Sequence, residues 1–222
     1  ADIRIDGAGK KVTRSDNCRV SELSVSSDNL TFTYEAKSLP YPIDTSYYDN
    51  EKHTQADALS VIPFMDEMNY EGLSVSGLSD GYYGLTIGGE FIGRFTAREL
   101  ERGINMALLQ NTPQYKQAMK IRQMNEERWL KERKMREFYW VEYNLMRKTG
   151  MLWACNEAAV DTLRKYRPHD IFLQWNGALW LQYMHKGIRE DCVNEQQDLV
   201  NQIYEQNKPI PLQIEIKKFT DL

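Results

Sequence analysis

The sequence lacks a long apolar run and any block of one charge sign. Its most apolar window, residues 171–184, is shorter than the roughly 20 residues that a membrane-spanning helix needs. We therefore predict no membrane span. The net charge is −4, and basic residues are mixed with acidic ones along the second half of the chain. Because phosphate binding needs an uncompensated basic stripe, we do not expect nucleic acid as a partner.

Cysteine is also scarce, with Cys18, Cys155 and Cys192 far apart in the sequence. An odd number of thiols cannot all pair within the chain, although one disulfide between two of them remains an alternative. The three are in no metal-ligand spacing, so the sequence predicts no metal site, and no motif for a cofactor is present. Cys155 ends an apolar run over residues 151–154, and we interpret it as a small buried hydrophobe.

A nucleophile motif is missing too. A serine hydrolase holds its serine within hydrogen-bond reach of a histidine, which an acidic group orients. The two Ser-Asp-Asn tripeptides, at 15–17 and 27–29, have no preceding glycine. Asp49 and His53 are one residue too far apart for an Asp-x-x-His block. We therefore predict that this chain alone is not catalytic.

Alternation of apolar and polar residues predicts a β-rich first half. Leu30, Phe32 and Tyr34 recur at every second position, which is typical of a half-buried strand. The pair Gly88-Gly89 predicts a two-residue hairpin connection. Similar short patterns predict further strands at 2–6, 20–25, 73–75, 83–87 and 90–95. We predict that residues 1–96 form an antiparallel, β-sandwich-like domain.

Helical patterns dominate the second half, which we predict as a helical region over residues 97–222. Thr96 and Glu99 form a capping-box pattern, so a helix should begin at Ala97 and run to about residue 109. Residues 114–148 contain neither glycine nor proline and predict one long helix, which Gly150 ends. Further patterns predict helices at 151–166, 171–186 and 191–206, and a terminal strand, at a sheet edge, over 210–216. Together the two halves predict an α+β fold.

Residues 73–117 resemble the C-terminal region of secreted SGNH/GDSL-type hydrolases. The resemblance lies in SGLSDGYYGLTIGGEFIGRFTARELERGINMAL, residues 76–108, and in NTPQYKQ, residues 111–117. The earlier segment FTYEAKSLPYPID, residues 32–44, resembles the preceding strand and Leu-Pro segment of that region. The later segment YRPHDIFLQWNG, residues 166–177, resembles its helical end.

The resemblance implies a larger parent protein with a catalytic flavodoxin-like α/β domain ahead of this region. That domain carries a GDS-type serine near its start and an Asp-x-x-His block near its end, and neither occurs here. No signal peptide is visible, and the start ADIRIDG looks like the middle of a longer protein or a mature end. The resemblance implies a secreted, periplasmic or cell-surface location. Our leading interpretation is a non-catalytic accessory module that packs on its catalytic SGNH domain and shapes the cleft.

Aromatic residues supply the candidate binding site for a second hypothesis, a glycan-binding module. Trp175, Asn176 and Trp180 would line a groove, and Tyr47 and Tyr48 would form a weaker platform in an exposed loop. The partner would then be a carbohydrate or an acylated glycan. Burial of these rings in a helical core is the structural alternative.

Histidines supply the candidates for a third hypothesis, a hydrolase in its own right. His53 lies in a polar loop and could serve as a base or a metal ligand, and His169 precedes a predicted helix start. His185 lies near a predicted helix C-terminus, where an imidazolium suits the dipole, so we assign it a capping role. Solvated or structural roles are the alternatives for all three.

Overall fold

The chain folds into two compact units. The computed structural model describes residues 1–46 and 52–219. One unit comprises residues 1–122 with 206–222, and the other comprises residues 123–205. The first is built mainly from strands and the second from helices, so the predicted α+β class is confirmed. The predicted boundary after Thr96 falls inside the first unit.

Two sheets form the first unit. The strands are β1 Asp2–Asp6, β2 Lys11–Asp16, β3 Cys18–Val25, β4 Asn29–Ala36, β5 Gly72–Ser76, β6 Tyr82–Ile87, β7 Glu90–Thr96, β8 Ile104–Asn105 and β9 Leu212–Lys218. One sheet has the order β2-β1-β5-β8 and the other β3-β4-β9-β6-β7. Neighbouring strands are antiparallel, with the exception of the parallel pair β1 and β5.

The alternation seen in the sequence corresponds to the core. On β4, Leu30, Phe32 and Tyr34 are buried while the threonines between them are partly exposed. Ile3 on β1 and Leu73 on β5 belong to the same buried cluster as these residues. The two sheets therefore share one hydrophobic core.

The tail strand occupies a different place in its sheet from the one we predicted. We expected an edge strand, but β9 pairs with β4 on one side and with β6 on the other. Pro211 precedes the strand, so its missing N–H lies outside the ladder. The buried Leu212, Ile214 and Ile216 alternate along β9 and fill the centre of the core.

The helices are α1 Phe64–Glu67, α2 Ala97–Arg102, α3 Pro113–Val141, α4 Glu157–Tyr166, α5 Ile171–Tyr183 and α6 Lys186–Gln206. The long helix α3 is confirmed, and it continues into a π-helical turn at Glu142–Met146. Short 3₁₀ segments lie at Gln55–Ser60, Met106–Leu108 and Arg167–His169. No helix within the described ranges combines the length and the apolarity that crossing a bilayer requires.

The capping box at the start of α2 is confirmed. The Glu99 amide donates to the Thr96 hydroxyl at 3.2 Å, and the Thr96 amide donates to the Glu99 carboxylate at 2.7 Å. The helix is shorter than predicted because Gly103 leaves the helical conformation at φ +94°. Glycine tolerates this conformation without a steric penalty.

The helix after Gly150 begins later than predicted. The Asn156 side chain accepts from the Ala159 amide at 3.0 Å and caps α4, so residues 151–156 form a loop. Our interpretation of Cys155 as buried is therefore wrong, because this loop exposes it. Cys18 and Cys192 are buried, and all three thiols are free.

Candidate functional site

A groove on the helical unit is the first candidate site. Its volume is about 380 Å³, and Trp129, Arg133, Arg136, Glu137 and Trp140 of α3 and Asn176 of α5 line it. The α3 residues recur at helical spacing, with Trp129 and Trp140 about three turns apart on one face. We call this surface the α3–α5 groove. It combines two indole rings with groups that can form hydrogen bonds.

The cations of the groove are held in place by their neighbours. Arg133 Nε donates to Glu137 Oε1 at 2.7 Å. The Arg136 guanidinium lies 5.5 Å from the centroid of the Trp129 ring, within the range of a cation–π contact. Trp129 nevertheless keeps 47% of its surface exposed. The groove is thus preorganised, with one large ring face available to a ligand or a partner.

Trp140 also lines a second concavity, of about 430 Å³. We call it the His169 cavity. Its other lining residues are polar, aromatic or aliphatic: Asn144, Leu145, Lys148, Thr149, Tyr166, His169, Asp170 and Leu173. Asp170 is the N-cap of α5 and accepts from the Phe172 and Leu173 amides, so its carboxylate has a structural role. The two concavities adjoin at Trp140.

Aromatic rings of α5 extend this surface. The Phe172 ring lies 5.2 Å from Trp140 and 5.5 Å from Trp175, measured between ring centroids. Trp175 is 66% exposed, and Asn176 lines the α3–α5 groove. The structure therefore brings these two predicted residues to the candidate surface. Sequence reasoning did not identify the contributions of Arg133 and Arg136, although their spacing from Trp129 on α3 was visible.

Trp180, which we predicted beside them, lies in the core instead. It is 0% exposed, and its indole N–H donates to Glu142 Oε1 at 2.8 Å. The other oxygen of Glu142 accepts from the Trp153 amide at 2.8 Å. Trp180 falls on the opposite face of α5 from Trp175, because five residues advance a helix by about one and a half turns. It cannot serve as a surface platform while the unit is folded.

Of the remaining predicted binding residues, only His53 lies within the described ranges, and it is not among the residues that line the groove or the His169 cavity. Tyr47 and Tyr48 lie outside the described residues. His53 is exposed, ahead of the 3₁₀ segment that Thr54 and Asp57 cap. The Asp57 carboxylate accepts a hydrogen bond from the Thr54 amide at 2.6 Å, so this carboxylate, four residues after His53, is engaged in the cap.

Within residues 123–205, the side chains around His169 do not form the triad of a serine hydrolase. Residues 123–205 contain no serine, and the one aliphatic hydroxyl in the His169 cavity belongs to Thr149. That hydroxyl donates to the Leu145 carbonyl at 3.0 Å. Within residues 1–46 and 52–219, no group of three histidine, cysteine or acidic side chains is placed to hold a metal ion.

A buried polar network lies in the β-rich unit. Glu71 directly precedes β5, and burial raises its pKa. The Tyr34 hydroxyl donates to Glu71 Oε1 at 2.7 Å, and Gln114 Nε2 lies 3.3 Å from Oε2. Because Tyr34 lies on β4, this contact joins the two sheets through one carboxyl group. A polar concavity of about 220 Å³ lies beside Tyr34 and Glu71.

Comparison with known proteins gives matches of two kinds. Residues 119–208 match the family model described as the diltiazem deacetylase C-terminal helical domain. A solved structure of a gut microbial diltiazem-metabolizing enzyme matches 99% of this chain with a TM-score of 0.91 and 34% sequence identity. This chain spans 50% of the length of that enzyme. No curated protein matches the chain.

The matches support the coarser part of our interpretation. The helical part of the chain is similar to a C-terminal domain of a hydrolase, which fits an accessory domain with a catalytic partner domain. The finer assignment to the SGNH/GDSL type stays a prediction.

Proposed function

We propose that this chain is a non-catalytic C-terminal accessory module of an SGNH/GDSL-like esterase or acylhydrolase. The match of residues 119–208 to a deacetylase C-terminal helical domain supports an accessory module of a hydrolase. The SGNH/GDSL part of the proposal rests on the resemblance of residues 73–117. The relative that metabolises diltiazem is twice as long as the part this chain spans, which leaves room for a separate catalytic domain. By this analogy the parent enzyme removes an acetyl group from an ester. The resemblance of residues 73–117 to secreted hydrolases supports a location outside the cytoplasm.

The chemistry of the described residues favours the role of a non-catalytic accessory module over a catalytic role. Acyl transfer needs a nucleophile, a base and an orienting group in one cavity. The His169 cavity offers a histidine with a capping aspartate and no serine. The catalytic serine, histidine and aspartate would therefore come from the partner domain of the parent protein.

The exposed aromatic surface is the part of the module that we propose contacts the catalytic domain. Trp129, Phe172 and Trp175 are partly exposed large rings, and Trp129 lines the groove together with Arg133 and Arg136. Tryptophan and arginine are the residue types that dominate binding energy at protein interfaces. We propose that the α3–α5 groove packs on the catalytic domain and forms part of the wall of the substrate cleft.

A glycan-binding module is the second candidate, and the accessibility of Trp175 favours it. An exposed indole can stack on a sugar ring while Asn176 and Arg136 offer hydrogen bonds to hydroxyls. Titration of the chain with acetylated oligosaccharides, followed by tryptophan fluorescence, tests this alternative. Binding that Trp175→Ala abolishes and that the control Tyr204→Ala retains would favour it over the packing role.

A turnover assay tests the non-catalytic assignment. The 222-residue chain is incubated with p-nitrophenyl acetate and, separately, with diltiazem. We expect no sustained release of product above the buffer rate. A burst limited to one equivalent that Cys155→Ser removes would come from a surface thiol and would not count as turnover. Sustained turnover that His169→Gln abolishes would contradict the proposal and would favour a hydrolase in its own right.

The coding sequence ahead of Ala1 tests the family assignment. We expect a GDS-type serine near the start of an upstream α/β domain and an Asp-x-x-His block close to its end. If the preceding sequence encodes a domain without these motifs, the SGNH/GDSL assignment is wrong. The similarity to the deacetylase helical domain would then need another catalytic partner.

A further inference from the structure

Cys155 and His185 form a thiol–imidazole pair on the surface of the helical unit. The Cys155 Sγ lies 3.3 Å from His185 Nδ1, within hydrogen-bond distance for sulfur. Both side chains are exposed. A thiol in hydrogen-bond contact with an imidazole is the nucleophile–base arrangement that activates cysteine for attack on an electrophile. The capping role that we predicted for His185 does not account for this contact.

The fold holds the loop that carries Cys155 at both ends. At one end, the buried Glu142 accepts the Trp153 amide, and Trp153 adopts φ +63°, an uncommon backbone conformation for a large side chain. At the other end, Asn156 caps α4. Cys155 therefore lies between two fixed points, which limits its movement away from His185.

His185 is positioned by the junction of two helices. Met184 is the C-cap of α5, and Lys186 is the first residue of α6. His185 therefore lies between the end of α5 and the start of the 21-residue helix α6, and the two helix ends fix its backbone.

The charged groups next to the pair are of both signs. On α6, Lys186 forms an ion pair with Glu190 at 3.4 Å, and Arg189 donates to the Tyr183 and Met184 carbonyls. On α4, Glu157 lies in the first turn, two residues after Cys155. The imidazole is the titratable group in direct contact with the sulfur.

We propose that Cys155 is a site of thiol–disulfide exchange with small disulfides, and that His185 accepts its proton. The thiolate attacks one sulfur of a disulfide R–S–S–R. A new bond forms between Cys155 Sγ and that sulfur, the original S–S bond breaks, and the leaving thiolate takes up the proton from the imidazolium. One disulfide replaces another, so no further oxidant is needed. This site is separate from the α3–α5 groove and does not depend on the function proposed above.

The other two cysteines provide matched internal controls. Cys192 and Cys18 are 4% and 9% exposed, so a dissolved disulfide cannot reach them readily in the folded chain. The probes are dithiobis(nitrobenzoate), a coloured aromatic disulfide, and oxidised glutathione. We expect one equivalent to react fast, with mass spectrometry placing the mixed disulfide on Cys155. Cys155→Ser should remove this fast phase, whereas Cys18→Ser and Cys192→Ser should retain it.

The histidine is tested by substitution and by chemical rescue. His185→Gln and His185→Ala should slow the fast phase about tenfold or more, because a positioned base contributes at least that much to proton transfer. His169→Gln, an exposed histidine elsewhere in the same unit, is the control and should leave the rate unchanged. Added imidazole should restore part of the rate in His185→Ala and leave the unsubstituted chain unaffected, a result that a merely structural role would not give.

Two outcomes would overturn the proposal. One is a rate for His185→Gln within about twofold of the unsubstituted chain, with the circular dichroism spectrum retained. The other is a first mixed disulfide on Cys192 or Cys18 in the folded chain. Both substituted positions are exposed, so loss of the fold is not expected to mask the result.

Discussion

Replacement of Glu71 by glutamine should change how the stability of the β-rich unit depends on pH. Glu71 is 4% exposed, and burial raises its pKa above the ordinary value of 4.5. The folded unit therefore keeps the proton at pH values where the unfolded chain has lost it. The contribution of this proton to the free energy of unfolding is fully present below the pKa that Glu71 has in the unfolded chain. It is lost as the pH rises through the pKa that Glu71 has in the folded chain. Between these two pKa values, the free energy of unfolding falls by at most about 1.4 kcal/mol per pH unit for one proton.

Glutamine keeps the contacts of a neutral carboxyl and cannot ionise. Its oxygen can still accept from the Tyr34 hydroxyl. After a flip of the Gln114 amide, whose Nε2 now faces Oε2 of Glu71, the new amide can donate to Gln114 Oε1, a buried atom with no hydrogen-bond partner within the described residues. We expect Glu71→Gln to match the unsubstituted chain near pH 4.5 and to become progressively more stable than it as the pH is raised. The exposed Glu67→Gln in α1 is the control and should show no such divergence.

The assay must report on the unit that contains Glu71. All five tryptophans lie in residues 123–205, so tryptophan fluorescence follows the helical unit alone. Hydrogen exchange of the β4 and β5 amides in mild urea, measured by mass spectrometry from pH 4.5 to pH 8 with correction for the intrinsic exchange rate, follows the other unit. Parallel protection curves for Glu71→Gln and the unsubstituted chain over that range would refute the reasoning.

Two further substitutions test local contacts. Trp180→Phe removes the indole N–H that donates to Glu142 Oε1 at 2.8 Å, and it should lower the free energy of unfolding of the helical unit by about 1–3 kcal/mol, because a buried acceptor is left unpaired. Urea unfolding followed by circular dichroism measures this change, and the exposed Trp175→Phe should have little effect. Equal unfolding midpoints for the two variants would contradict the argument from the buried acceptor. Thr96→Ala removes the side-chain cap of α2 and should cost about 1 kcal/mol in thermal unfolding, whereas Thr96→Ser should retain most of the stability.

Local signals with a defined geometry were readable from the sequence. The Thr96–Glu99 capping box, the Gly88-Gly89 turn and the period-two pattern of β4 each depend on a few neighbouring residues, and the structure has all three. The end of α2 was predicted too late because Gly103 was not recognised as a helix end. The start of α4 was predicted too early because apolar residues before Asn156 suggested a helix, and this error led us to bury Cys155.

Features set by tertiary contacts could not be read in the same way. The strand β2 is almost wholly exposed and lacks alternation, so its pairing with β1 leaves no hydrophobic signature. The central position of β9 depends on partners far away in the sequence. Of the predicted binding residues, Trp175 and Trp180 lie on one helix that is apolar nearly all round, so only packing decides which ring faces solvent.

The order in which the ribosome releases the chain gives the last strand a special part in folding. Residues 123–205 are synthesised before β9, whereas β4 and β6 must wait for residues 212–218 to join them. During that interval both waiting strands carry unpaired backbone groups, which invite pairing with other chains. Removal of residues 212–218 by a protease would recreate this state in the folded protein. The yield of intact protein should therefore depend on a segment that contributes no residue to the α3–α5 groove.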